Sequence, residues 1–176
     1  IPDEIREEFR MQTYTNQDNY EGISEFKRIL NYFVSYVFRE QLIDVVAHEL
    51  NYVFHTSEFY VPVEKLSQMQ LSGNIIGSHT VSHPVMSKLT KIEQNEEIEN
   101  SFNFLESNLQ LNLKTYCHPY GGFYSFNEET VRALVKKEVA FSFNVESRDI
   151  CDDDLASSIQ FLPRYDCNEF PFGKAS

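Results

Sequence analysis

The sequence has 176 residues, enough for one domain around one sizeable core. Its formal net charge of −12 disfavours the basic face on which nucleic-acid binding rests, and no apolar run approaches the roughly 18 residues of a membrane span. Three cysteines, Cys117, Cys151 and Cys167, form neither an even set nor a CxxC pair, so free thiols and a reducing, cytoplasmic setting are expected.

Residue 1 is Ile, and no charged leader with an apolar segment follows it, so the natural start is expected upstream. Residues 1–20 are polar and aperiodic and read as a loop. From Ile23 to about Arg39, Phe26, Ile29, Leu30, Phe33 and Val37 fall on one helical stripe; a second helix follows with Leu42, Val45, Val46 and Leu50. Pro62 opens a short helix carrying Val63, Leu66 and Met69, which Gly73 stops. Residues 74–78 read as a buried strand. Thr90 and Glu93 have capping-box spacing, and the helix they start carries Ile98, Phe102, Leu105 and Leu109. Leu113–Cys117 is the next strand, Ser125–Glu128 a second capping box before Val131, Leu134 and Val135, and Val139–Phe143 a further strand. Strands alternating with helices imply parallel pairing, hence an α/β barrel or a doubly wound sheet.

Chemistry concentrates in two places. His79-Thr80-Val81-Ser82-His83-Pro84 follows an apolar strand, and sites in parallel α/β folds form at strand C-terminal ends. Two imidazoles four residues apart can reach one cation, and neutral imidazole suits zinc, although ordinary loop histidines have the same spacing. The Glu of HExxH is absent, so a zinc-protease helix is not supported. Tyr116-Cys117-His118-Pro119-Tyr120-Gly121-Gly122 is the second segment; its backbone N–H groups can serve an oxyanion, or it is a tight turn and nothing more.

Together the two segments resemble the polysaccharide deacetylase family, the fourth carbohydrate esterase family with its nodulation-protein homology domain. Gly73 to Pro84 is similar to the family's second motif, which implies His79 and His83 as metal ligands with the Thr80 hydroxyl steadying the loop. Pro119-Tyr120-Gly121 is similar to the core of the third, implying the Tyr120 backbone N–H as an oxyanion donor. Phe59–Leu71, Glu93–Leu105 and Leu162-Pro163-Arg164-Tyr165-Asp166 extend the resemblance to roughly residues 20–170, with a helical insertion at 20–55 as in a bacterial branch that modifies surface glycans. The implied fold is a single domain over 1–176, a distorted (β/α) barrel incomplete at the N-terminus. The implied cofactor is zinc or another divalent transition metal, and the implied substrate an N-acetyl or O-acetyl group on a glycan or sugar intermediate.

The departures are specific. The Thr-Phe-Asp-Asp-type strand end, source of a base Asp and a metal-binding Asp, has no counterpart and is expected before residue 1. Cys117 stands where the third motif carries a base-orienting Arg, and no Leu-x-His supplies a general acid. Cys117 itself is expected to be structural. His118 is weighed as a proton donor against a packing role, and Arg164 or Arg148 as a substitute for the missing Arg against a structural ion pair. Asp152-Asp153-Asp154 is read as a solvated turn, and His48 and His55 receive no role. Two alternatives to the enzyme remain: a catalytically inactive glycan-binding relative, and an interaction module working through helices 23–50.

Overall fold

The structure, a computed structural model, describes residues 1–14 and 20–170. The chain divides into two compact units, Ile1–Phe59 and Tyr60–Ser176. The division falls just after the stretch expected to be a helical insertion.

In the first unit, residues expected to be loop form helix α1, Asp3–Gln12, while 15–19 lie outside the described residues. Its apolar face is little more than Ile5 and Phe9, one turn apart among six charged residues, too short a stripe to stand out in the sequence. Acidic Asp3 and Glu4 in its first turn and Arg10 in its last complement its dipole. Phe9 packs on Tyr32 and Phe33, with ring centroids 5.2 and 5.1 Å away. The predicted helix 23–39 is broken. Helix α2, Glu21–Arg28, runs into a π-helical turn at Ile29–Phe33, and Val34 and Ser35 are extended before α3, Tyr36–Glu49. The wide turn sets Tyr32 and Phe33 against Phe9. Arg28 closes the unit by donating to the Thr13 carbonyl at 2.9 Å and its hydroxyl at 3.0 Å. A four-residue helix α4, Thr56–Phe59, ends it.

The second unit holds the α/β part. Helix α5, Val63–Leu71, begins after Pro62 and stops at Gly73, whose φ of 89° suits glycine. Helix α6, Lys91–Asn108, starts at the expected capping box, with Thr90 N–H donating to Glu93 Oε2 at 2.7 Å. Strand β1, Thr115–Cys117, precedes α7, Glu128–Lys136, and β2, Phe141–Phe143, precedes the short α8, Asp152–Ser157. The second capping box is displaced by two residues. Asn127, not Ser125, caps α7, because the Ser125 hydroxyl donates to the Gly122 carbonyl at 2.7 Å.

β1 and β2 pair in parallel with Tyr116 opposite Ser142. Single parallel bridges add Ser78 beside Tyr116 and Leu162 beside Phe143. Spatial neighbours are thus successive in sequence, with α6, α7 and α8 crossing between them. The predicted strand at 74–78 pairs only at Ser78 and Ile75 is 67% exposed, so it is not buried. The arc is open, and the expected barrel closure is not formed among the described residues. Gly77 is required where this segment nears β1: a Cβ there would stand 2.8 Å from the Thr115 carbonyl oxygen.

The core lies between the outer face of the arc and α6 and α7. It comprises Met86, Ile98, Phe102, Tyr116, Phe126, Ala133, Leu134 and Val139. Burying each large apolar side chain contributes about 1.5–3 kcal/mol. No helix among the described residues is long and apolar enough to cross a membrane, and Cys117, Cys151 and Cys167 are free.

Candidate metal and oxyanion site

Backbone pairing brings three segments to the C-terminal ends of the strands. Ser78 N–H donates to the Thr115 carbonyl at 2.9 Å and Cys117 N–H to the Ser78 carbonyl at 2.9 Å, which fixes His79 beside the end of β1. The His79 and His83 rings meet edge to face with centroids 4.6 Å apart, and the Tyr120 ring stands 4.7 Å from that of His83. Thr80 and His83 are left-handed, at φ 67° and 52°, uncommon for side chains with a Cβ. The Thr80 hydroxyl spans the turn: it donates to the His79 carbonyl at 2.5 Å and accepts from His83 N–H at 3.1 Å.

His79 Nδ1 lies 2.8 Å from the Cys117 carbonyl oxygen. A carbonyl only accepts, so Nδ1 carries the proton and Nε2 keeps the lone pair, the arrangement common to imidazole ligands. Burial pushes the His79 pKa down, with the Arg164 guanidinium adding to the fall and the Cys117 bond opposing it. Neutral imidazole is the form a cation needs. Two imidazoles provide part of a zinc sphere; among the described residues no group of three or more His, Cys, Asp or Glu side chains converges.

The 118–122 loop turns sharply through Tyr120 and Gly121, left-handed at φ 62° and 69°. Pro119 and Gly121 are buried beneath it. A Cβ on Gly121 would stand 2.3 Å from Val145 Cγ1, so only glycine fits. On the inner face of the arc a cavity of about 640 Å³ is lined by Ile75, His79, Cys117, Phe143 and Arg164 among others. The Arg164 Nε is buried and has no hydrogen-bond partner among the described residues.

Two candidate residues lie elsewhere. His118 is 1% exposed and stacks on Phe126 with centroids 3.8 Å apart, so it is a core residue and not placed to donate a proton in the cleft. Its Nε2–H donates to the Gln160 carbonyl at 2.8 Å. Arg148 holds Asp154 through two bonds of 2.6 and 2.7 Å, an ion pair. Asp152–Asp154 form the first turn of α8, where Asp152 and Asp153 are exposed as a solvated turn expects and Asp154 alone is buried.

Glu97 escaped the sequence reading. From α6 its Oε2 accepts from Val81 N–H at 2.7 Å and Ser82 N–H at 3.0 Å, while Oε1 accepts from the Ser82 hydroxyl at 2.6 Å. Ser101, one turn further on, meets the Ser78 hydroxyl at 2.6 Å. The available signal was polar: Gln94, Glu97 and Ser101 recur at three- and four-residue spacing alongside the apolar face of that helix.

Paired histidines and a Pro-Tyr-Gly loop thus stand at the strand ends of a parallel α/β unit. The polysaccharide deacetylase family model matches residues 40–141, and the chain belongs to that family. No curated protein sequence matches it. Among solved structures the chain is similar to the Streptococcus pyogenes deacetylase PplD in complex with acetate, at 18% identity and a TM-score of 0.54. The match covers 60% of this chain and 44% of that one, so the chain spans less than half of that deacetylase. At this identity the likeness concerns the fold alone.

Proposed function

We propose that this chain carries the metal-ligand and oxyanion part of a deacetylase that hydrolyses an N-acetyl or O-acetyl group on a glycan or sugar intermediate, in surface-polysaccharide biosynthesis or modification. The observation that carries the reading is the meeting of the His79, His83 and Tyr120 rings at the strand ends within a chain of this family. In this reading His79, through Nε2, and His83 hold zinc or another divalent transition metal. The family's third metal ligand and base are aspartates of its Thr-Phe-Asp-Asp-type strand end, which has no counterpart in residues 1–176. A bound divalent ion polarises the acetyl carbonyl and the attacking water. The Tyr120 backbone N–H donates to the carbonyl oxygen as it gains charge; losing one such donor costs roughly 10²–10³ in rate. Pro119 and Gly121 fix that donor's direction. Arg164, facing the same cavity as Cys117, supplies the positive charge that the family's third motif carries at the Cys117 position.

Zinc titration by calorimetry tests the ligands. The chain should bind weakly, because a catalytic zinc normally has three protein ligands. His79→Ala and His83→Ala should each abolish the binding that remains. Zinc affinity unchanged in both variants would refute the ligand assignment. Acetate release from acetylated oligosaccharides, in a polypeptide that includes the Asp-Asp strand, tests the activity. Absence of release with zinc bound would favour an inactive glycan-binding relative.

A further inference from the structure

The His79–His83 loop is held by a residue outside both family segments. Thr80 and His83 bracket Val81 and Ser82 in left-handed geometry that the backbone does not favour alone. All three polar hydrogens of the intervening pair, Val81 N–H, Ser82 N–H and the Ser82 hydroxyl, go to the Glu97 carboxylate at 2.6–3.0 Å. No Lys or Arg pairs with Glu97 among the described residues, so this acid serves the loop and not an ion pair. The helix that carries it is firmly placed. Its start is capped by Thr90, and Ser101 grips Ser78 on the other side of His79.

We propose that Glu97 is the positioning residue of the histidine pair. Its carboxylate holds the turn in which the two imidazoles converge and adds negative charge behind a site for a divalent cation. The inference rests on the metal reading above for its second half; the ordering of the loop stands without it. Groups that orient ligands from behind typically change metal affinity by about 10–100-fold.

The test uses the full chain and the variants Glu97→Ala, Glu97→Gln and Glu96→Ala. Glu96 is a neighbouring exposed acid that controls for net charge. Without metal, amide hydrogen exchange at Val81 and Ser82 should be slow in wild type and Glu96→Ala and fast in Glu97→Ala. With zinc, Glu97→Ala should bind at least about 10-fold more weakly, with Glu97→Gln between, because its amide oxygen still accepts from the two N–H groups. Thermal melts confirm that each variant is folded. Unchanged exchange at Val81 and Ser82 in Glu97→Ala would overturn the proposal, as would zinc affinity equal to that of Glu96→Ala. A wild-type chain without zinc affinity would sink the metal reading instead, and the exchange data alone would then decide the role of Glu97.

Discussion

Acidification should destabilise this protein through His118 well before its carboxylates titrate. The ring is sealed in the core between Phe126 and Tyr116, with centroids 3.8 and 5.1 Å away. Nε2–H is committed to the Gln160 carbonyl, and Nδ1 is buried without a partner among the described residues. A second proton would have to sit on Nδ1 in apolar surroundings, so burial pushes the pKa from 6.5 to about 4. The folded state thus refuses a proton that the unfolded chain accepts. Stability is complete above about 6.5 and falls as pH drops towards 4. Each tenfold in proton binding is worth about 1.4 kcal/mol, so the full loss is roughly 3.5 kcal/mol, a large share of a typical stability of about 5–15 kcal/mol. His118→Phe keeps the stack on Phe126 and leaves the Gln160 carbonyl satisfied by the Ser142 hydroxyl. At pH 7 it should cost about 1–2 kcal/mol for the lost bond and the tighter fit. Urea denaturation at pH 7 and pH 4.5 should therefore show the variant less stable at the first pH and equal or superior at the second. A stability gap that stays constant between the two would refute the reasoning, since the remaining groups titrate alike in both proteins.

Gly121→Ala places a Cβ against Val145 at a left-handed residue and should cost about 1–3 kcal/mol, measured by urea denaturation; a loss below about 0.5 kcal/mol would show that the loop yields. Thr90→Ala removes the cap of α6 and should cost about 1 kcal/mol in the same assay, whereas no change would mean that packing alone sets that helix start. Asp154, held well below the usual carboxylate range by Arg148 and then by Cys151 N–H, supports folding above pH about 4 and loses that effect progressively below it. Asp154→Asn should flatten the stability profile below pH 4, and an unaltered acid limb would contradict this.

What could be read from sequence was local. The α6 start needed only Thr90 and Glu93, and both bonds of that box form. The α7 start needed more, because Ser125 and Asn127 are both competent caps three residues before a polar partner. The Ser125 hydroxyl is taken by the Gly122 carbonyl, and the Thr130 hydroxyl is held 36 residues away by Gln94 Oε1 at 2.6 Å, so Asn127 is left as the cap. Helix α1 has charge order but only the short Ile5–Phe9 apolar face, and the partners of Phe9, Tyr32 and Phe33, are more than twenty residues on. The His79–His83 spacing showed two donors on one loop, but their convergence depends on Glu97, which belongs to a different element.

The same distinction settles the adjacent Cys117 and His118, which in one dimension look like a thiol and its base. Successive side chains along a strand point to opposite faces. Tyr116 and His118 face the helices and pack in the core, while Cys117 lines the inner cavity with His79 and Arg164. An activated thiol needs a lowered pKa, yet burial pushes that of Cys117 up despite the Arg164 guanidinium nearby. Its neighbouring imidazole is turned to the other side of the strand, stacked on Phe126. The backbone of Cys117 makes the contribution its side chain cannot: its carbonyl takes the His79 Nδ1 proton and leaves Nε2 able to bind a cation. The chain thus passes from cleft to core within two consecutive residues: the Cys117 thiol faces the cavity with His79, and the His118 imidazole beside it in sequence is committed to the core.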